Sequence, residues 1–91
     1  MRMTELYAIV TGLVQGVRFR DYVQTAAGEL ELTGYVRNQK TGAVLVVAQG
    51  LPENLKAMVE YLHEGSSLSR VDGVDVEWRS AQKIYDDFYI Q

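Results

Sequence analysis

The spacing of the apolar residues changes character several times along this chain, and the order of those changes constrains the fold more than any single motif. Residues 5–12, ELYAIVTG, form a run rich in β-formers, which predicts a buried strand. From residue 19 the spacing becomes helical. Phe19, Tyr22, Val23, Ala26, Ala27 and Leu30 recur at i, i+3, i+4, i+7, i+8 and i+11, which is one helix face. Residues 34–38 and 43–49 return to strand composition, and QKTG between them is a hairpin signal. Pro52 then opens a second helix, at a position where a missing N–H costs nothing. Leu55, Met58, Val59 and Leu62 make its stripe, and Gly65 ends it. Across 73–80, Val74, Val76 and Trp78 alternate with Asp75, Glu77 and Arg79, and FYI at 88–90 reads as a last short strand.

The resulting string, β-α-β-β-α-β with a terminal strand, predicts an α/β sandwich of the ferredoxin-like kind. Two helices lie on one face of an antiparallel sheet, with a short extra C-terminal strand. Right-handed crossovers put the first and third strands side by side in the centre. A single domain over residues 1–91 is expected.

Twelve acidic against nine basic residues leave a formal net charge of −3, a poor balance for general binding to nucleic acid or to an anionic membrane. Any anion site must therefore be local. The apolar run near the N-terminus is interrupted by Thr11 and Gly12, and it is too short for a signal-peptide core or a spanning helix. The expectation is a cytoplasmic protein with no nucleic-acid or membrane partner. The absence of cysteine excludes disulfides, thiolate metal sites and cysteine nucleophiles. With one histidine and no cluster of ligands, neither a metal site nor a cofactor is expected.

One local anion site is legible. GLVQGVRFR, residues 12–20, joins the first strand to the first helix and carries two glycines and two arginines. A helix start offers unpaired N–H groups and a partial positive charge. A glycine-containing loop before it lets successive amides converge on one oxyanion. Gly16 can take a positive φ at no steric cost, and Arg20 can add a two-pronged contact matched to phosphate. A plain strand-to-helix turn would use glycines in the same way. A second stretch, GYVRNQKTGAVLVVAQG at 34–50, places Asn38 just before the hairpin. Its carboxamide could hold a water in line for attack on phosphorus, or it could simply satisfy the turn.

Taken together, the two stretches resemble the acylphosphatase family. The pattern G-x-V-Q-G-V-x-F-R is met by Gly12, Val14, Gln15, Gly16, Val17, Phe19 and Arg20. A second pattern is met by Gly34, Tyr35, Val36, Arg37, Asn38, Gly42, Val44 and Gly50, and the ending by Phe88 and Ile90. The resemblance implies metal-independent hydrolysis of an acyl phosphate to a carboxylate and inorganic phosphate. It implies that Arg20 and the loop Gln15, Gly16, Val17, Arg18, Phe19 and Arg20 bind the phosphoryl group, mainly through backbone amides, and that Asn38 orients the attacking water. Small-molecule acyl phosphates are then the partners, inorganic phosphate a product inhibitor, and the working unit a monomer. An acyl phosphate already has a good leaving group, so positioning and charge screening suffice.

Two positions depart from common members of that family. Arg18 stands where glycine or an aromatic is frequent, which makes the pocket mouth more basic. Glu31 stands where many relatives carry glycine. A left-handed backbone there would cost about 1 kcal/mol, and Gly28 inside the helix about 1 kcal/mol relative to alanine. Elsewhere, His63 reads as a surface residue near the end of the second helix, Asp21 as a complement to the helix dipole, and Asp86 and Asp87 as a solvated loop. Trp78 reads as a packing residue or an exposed sheet aromatic.

Two other functions fit the same element order. An RNA-recognition module would stack bases on third-strand aromatics, but AVLVVAQG has none. A domain that binds an acyl or carbamoyl phosphate with little turnover, like the related domains inside larger hydrogenase-maturation proteins, would keep the cradle. The lack of a further domain favours the free-standing enzyme.

Overall fold

A computed structural model describes residues 3–91; residues 1 and 2, included in the expected domain, lie outside the described residues. The elements are β1 (Thr4–Leu13), α1 (Phe19–Glu29), β2 (Thr33–Asn38), β3 (Val44–Gln49), α2 (Pro52–Glu64), β4 (Arg70–Ser80) and β5 (Phe88–Ile90). The predicted order holds throughout, and the largest boundary difference is β4, which begins at Arg70 rather than near residue 73. The sheet order is β4-β1-β3-β2-β5, with β1 and β3 adjacent as expected. The four long strands pair antiparallel, whereas β5 runs parallel to β2, so the whole sheet is mixed.

Both helices bury the stripes that the sequence predicts. Phe19, Val23, Ala26 and Ala27 of α1 and Leu55, Met58 and Leu62 of α2 meet Leu6, Ala8, Val10, Val36, Val44, Val46 and Ala48 of the sheet. Tyr22 packs its ring against Phe19, with centroids 5.8 Å apart, and its hydroxyl donates to the Tyr61 carbonyl at 2.8 Å. Burial pushes the Tyr22 phenol up, with Glu64 and then Tyr61 adding to the shift. The group therefore stays a protonated donor. Trp78 lies beside the start of α2, near Pro52, Leu55 and Lys56, and is 47% exposed.

All six residues of β3 are buried, on both faces of the sheet. The helices account for one face. On the other, the 81–87 loop folds across the strand end. Gln49, only 1% exposed, donates to Glu5 Oε1 at 2.9 Å and to the Lys83 carbonyl at 2.6 Å, and it accepts from the Tyr85 N–H at 3.2 Å. Every polar atom of its carboxamide thus has a partner, which a buried amide requires. Asp86 and Asp87 are exposed, yet the Asp87 carboxylate accepts from the Phe88 N–H at 2.8 Å and its carbonyl from the Gly34 N–H at 2.9 Å, which starts β5 alongside β2. No helix among the described residues is long and apolar enough to cross a membrane.

Candidate active site

The site begins where β1 ends. Between Thr11 and Gly12 the register of β1 against β4 shifts, and Gly12 lies at φ 125° hard against the Arg70 carbonyl. A side chain there would displace the neighbouring strand, so glycine is what lets β1 bulge at this point while it stays paired with β4 through Leu13. The loop that follows contains two left-handed residues separated by Val17, Gly16 at φ 74° and Arg18 at φ 61°. Gly16 takes that conformation as its lack of a Cβ predicts. Arg18 takes it against the ordinary preference of an L side chain.

Arg18 is also the residue from which α1 starts. The first helical bond runs from the Tyr22 N–H to the Arg18 carbonyl at 3.1 Å. No side chain caps the helix start. The N–H groups of Phe19, Arg20 and Asp21 therefore have no acceptor within the helix. Uncapped amides at a helix start, next to a loop with alternating backbone handedness, form the concavity that binds oxyanions. A cleft of about 290 Å³ opens there, lined by Val14, Gly16, Arg18, Phe19, Arg20, Asp21 and Ile90.

Arg20 is held from the opposite end of the chain. Its Nη1 donates to the Gln91 carbonyl at 2.8 Å, and the Gln91 N–H donates to the Val36 carbonyl at 2.9 Å. A second tie runs from Gln24 Nε2 to the Phe88 carbonyl at 3.0 Å. The β5 segment thus fixes one side of the guanidinium and leaves its remaining N–H groups for the cleft.

Gln15 uses its side chain for a purpose that motif reading does not supply. Its Nε2 donates to the carbonyls of Gln39, at 2.7 Å, and Ala43, at 2.8 Å. The loop is thereby strapped to the β2–β3 hairpin. Neither Gln15 nor Val17 is among the residues lining the cleft, whereas Gly16, Arg18, Phe19 and Arg20 are.

Asn38 is likewise outside that lining. It is the last residue of β2, on the same side of the sheet as Val36, and it directly precedes the Gln39 to which the loop is strapped. The hairpin satisfies itself without the Asn38 side chain: Gln39 N–H to the Ala43 carbonyl at 2.8 Å, Gly42 N–H to the Gln39 carbonyl at 3.2 Å, and Ala43 N–H to Thr41 Oγ1 at 3.4 Å. Among the described residues the Asn38 carboxamide has no protein partner, and it is exposed.

Motif reading also missed Ile90, Val14 and Asp21 as cleft walls. Ile90 was legible as a strand residue and as part of the family ending, but not as a cleft wall, because its approach to the loop depends on the direction of β5. No group of three His, Cys, Asp or Glu side chains that could hold a metal occurs among the described residues. His63 is exposed in the last turn of α2, away from this cleft.

Comparisons agree in sequence and in fold. The Acylphosphatase family model matches residues 6–90. An acylphosphatase of Salinibacter ruber is 39% identical over 84 residues, 92% of this chain and 88% of the relative. The crystal structure of acylphosphatase from Bacillus subtilis superposes with a TM-score of 0.94 at 35% identity, covering 98% of this chain and 99% of that one. The HypF protein of T. kodakarensis matches with a TM-score of 0.84 at 31% identity, covering 96% of this chain but only 12% of HypF.

Proposed function

The chain belongs to the acylphosphatase family and is an acyl phosphate hydrolase, and we propose that the 15–20 loop, Arg20 and Asn38 carry the reaction. The observation that bears most weight is the uncapped start of α1, which faces the same cleft as an arginine anchored by Gln91. Backbone amides of the loop and the free N–H groups of Arg20 receive the phosphoryl oxygens. Charge that spreads over those oxygens in the transition state meets donors already in place, which is where preorganisation lowers a barrier. A water held by the Asn38 carboxamide attacks phosphorus in line with the acyl oxygen. The new P–O bond forms as the bond to the carboxylate breaks, and the protons of the water end on phosphate and solvent.

The carboxylate is a weak base and needs little help to depart, so no general acid is required. Charge screening by Arg20 and the amides makes a metal ion unnecessary. The working unit we infer is a monomer, with Val14, Gly16, Arg18, Phe19, Arg20, Asp21 and Ile90 of a single chain lining the cleft. Inorganic phosphate fits the same donors and should compete with substrate. We infer a cytoplasmic enzyme, a placement with which the cysteine-free composition is compatible.

Hydrolysis of benzoyl phosphate, followed spectrophotometrically, tests the reading. Turnover should continue in excess chelator and show competitive inhibition by phosphate. Loss of activity on chelation with recovery on adding magnesium would overturn it. Phosphate binding without turnover would instead mark a domain that binds acyl phosphates and does not hydrolyse them.

A further inference from the structure

One cation in the cleft is not required by the phosphoryl contacts. Arg18 lines the same space as Arg20 and Ile90. Its side chain is exposed and makes no ion pair or hydrogen bond among the described residues. Three other arginines are engaged: Arg20 with the Gln91 carbonyl, Arg70 with Asp72, and Arg79 with Glu5 and the ring of Tyr7.

The backbone makes the choice of arginine at this position informative. At φ 61° and ψ 25° residue 18 occupies the left-handed region, where glycine would supply the same amide without strain. A strained non-glycine residue at a binding site points to a use for its side chain. The available use lies beyond the phosphoryl group. The cleft, at about 290 Å³, has room for more than a phosphoryl group, and its lining includes the apolar Ile90 as well as Arg18. Asp21, the acidic residue of that lining, is exposed in the first turn of α1, where it complements the helix dipole, and forms no ion pair with Arg18.

We propose that Arg18 is a specificity-determining residue that favours acyl phosphates whose acyl group carries a second carboxylate over those with a neutral acyl group. The guanidinium fork matches a planar carboxylate with two parallel N–H bonds. This rests on the reading that the loop amides and Arg20 take the phosphoryl group.

The test compares 4-carboxybenzoyl phosphate with benzoyl phosphate, using the wild type and the variants Arg18→Gln, Arg18→Gly and Arg18→Lys. The readout is the ratio of kcat/KM for the carboxylated substrate to that for the plain one. This ratio should fall roughly five- to tenfold in the Gln and Gly variants, through a higher KM for the carboxylated substrate. Arg18→Lys should retain only part of the preference, because an ammonium keeps the charge and loses the fork, and added salt should erode it in the wild type. Glycine is at ease in the left-handed region, so Arg18→Gly keeps the test open if Arg18→Gln folds poorly. A ratio unchanged by the substitutions would overturn the proposal. So would an equal loss on both substrates with weaker phosphate inhibition, because Arg18 would then serve the phosphoryl group alone. Absence of any turnover of benzoyl phosphate by the wild type is a different result, and it would overturn the underlying reading of the site.

Discussion

At the residue scale, the proposed site separates a charge that binds from an amide that orients. Arg20 has one N–H group committed to the Gln91 carbonyl. A guanidinium can keep that contact and still present a fork to phosphate; an ammonium is a point charge that cannot do both. Arg20→Lys should therefore reduce kcat/KM on benzoyl phosphate by at least about 10- to 100-fold, the scale of a lost charge-assisted contact, while the melting temperature moves little. Near wild-type turnover would make Arg20 a structural residue. Asn38→Ala should give the contrasting pattern. It should lower kcat by roughly 10²–10³, with KM and the phosphate inhibition constant within a few-fold because the ground-state contacts remain. The hairpin satisfies its own turn without the Asn38 side chain, so stability should hold. A fully folded and fully active Asn38→Ala protein would refute the water-positioning role. Glycine at 16 was legible because only its lack of a Cβ makes that backbone easy. Arginine at 18 was not, since nothing in its chemistry favours a positive φ, and the loop imposes it. The strap from Gln15 was hidden as well, because its acceptors lie 24 and 28 residues away and are backbone carbonyls, which carry no sequence signature.

At the element scale, α1 has to start at the cleft and bury one face against the sheet, and its sequence serves both ends unequally. Its start is left uncapped, which withholds a stabilising contact and leaves donors for an anion. Its end runs into Glu31 at φ 54°, the left-handed residue that the sequence pattern marked as a cost. Gly28 adds a further weakness inside the helix. It is exposed, and a Cβ there would meet nothing within 4 Å. Gly28→Ala should raise stability by about 0.5–1 kcal/mol, measured by denaturant unfolding, with kcat unchanged. Destabilisation would show that the helix end needs glycine for a reason outside its geometry. Element identity was legible throughout because each stripe has a clear period. The buried second face of β3 was not, because alternation cannot reveal that the 81–87 loop lies over it through Gln49.

At the scale of the whole molecule, the sheet order explains why distant segments meet. Placing β5 parallel to β2 at the edge brings Ile90 and Gln91 to the loop after β1, across nearly the full length of the chain. The strap from Gln15 brings the end of β2 to the same place. The architecture thus gathers loop, arginine and asparagine at one end of the sheet, although the sequence shows only their types. A second cleft, lined by Glu5, Arg79, Ser80, Gln82, Lys83 and Tyr85, offers two cations of its own and is the natural competitor for an anion. In it Arg79 already faces Glu5 at 3.7 Å and covers the ring of Tyr7, so an anion there would have to displace existing contacts. The most direct measurement is a crystal structure grown in phosphate. It should place the anion in the 15–20 loop, accepting from the amides at the start of α1 and from Arg20, with Asn38 facing the vacant side of phosphorus. Phosphate bound beside Arg79 and Lys83, with the 15–20 loop holding only water, would contradict the assignment of the site.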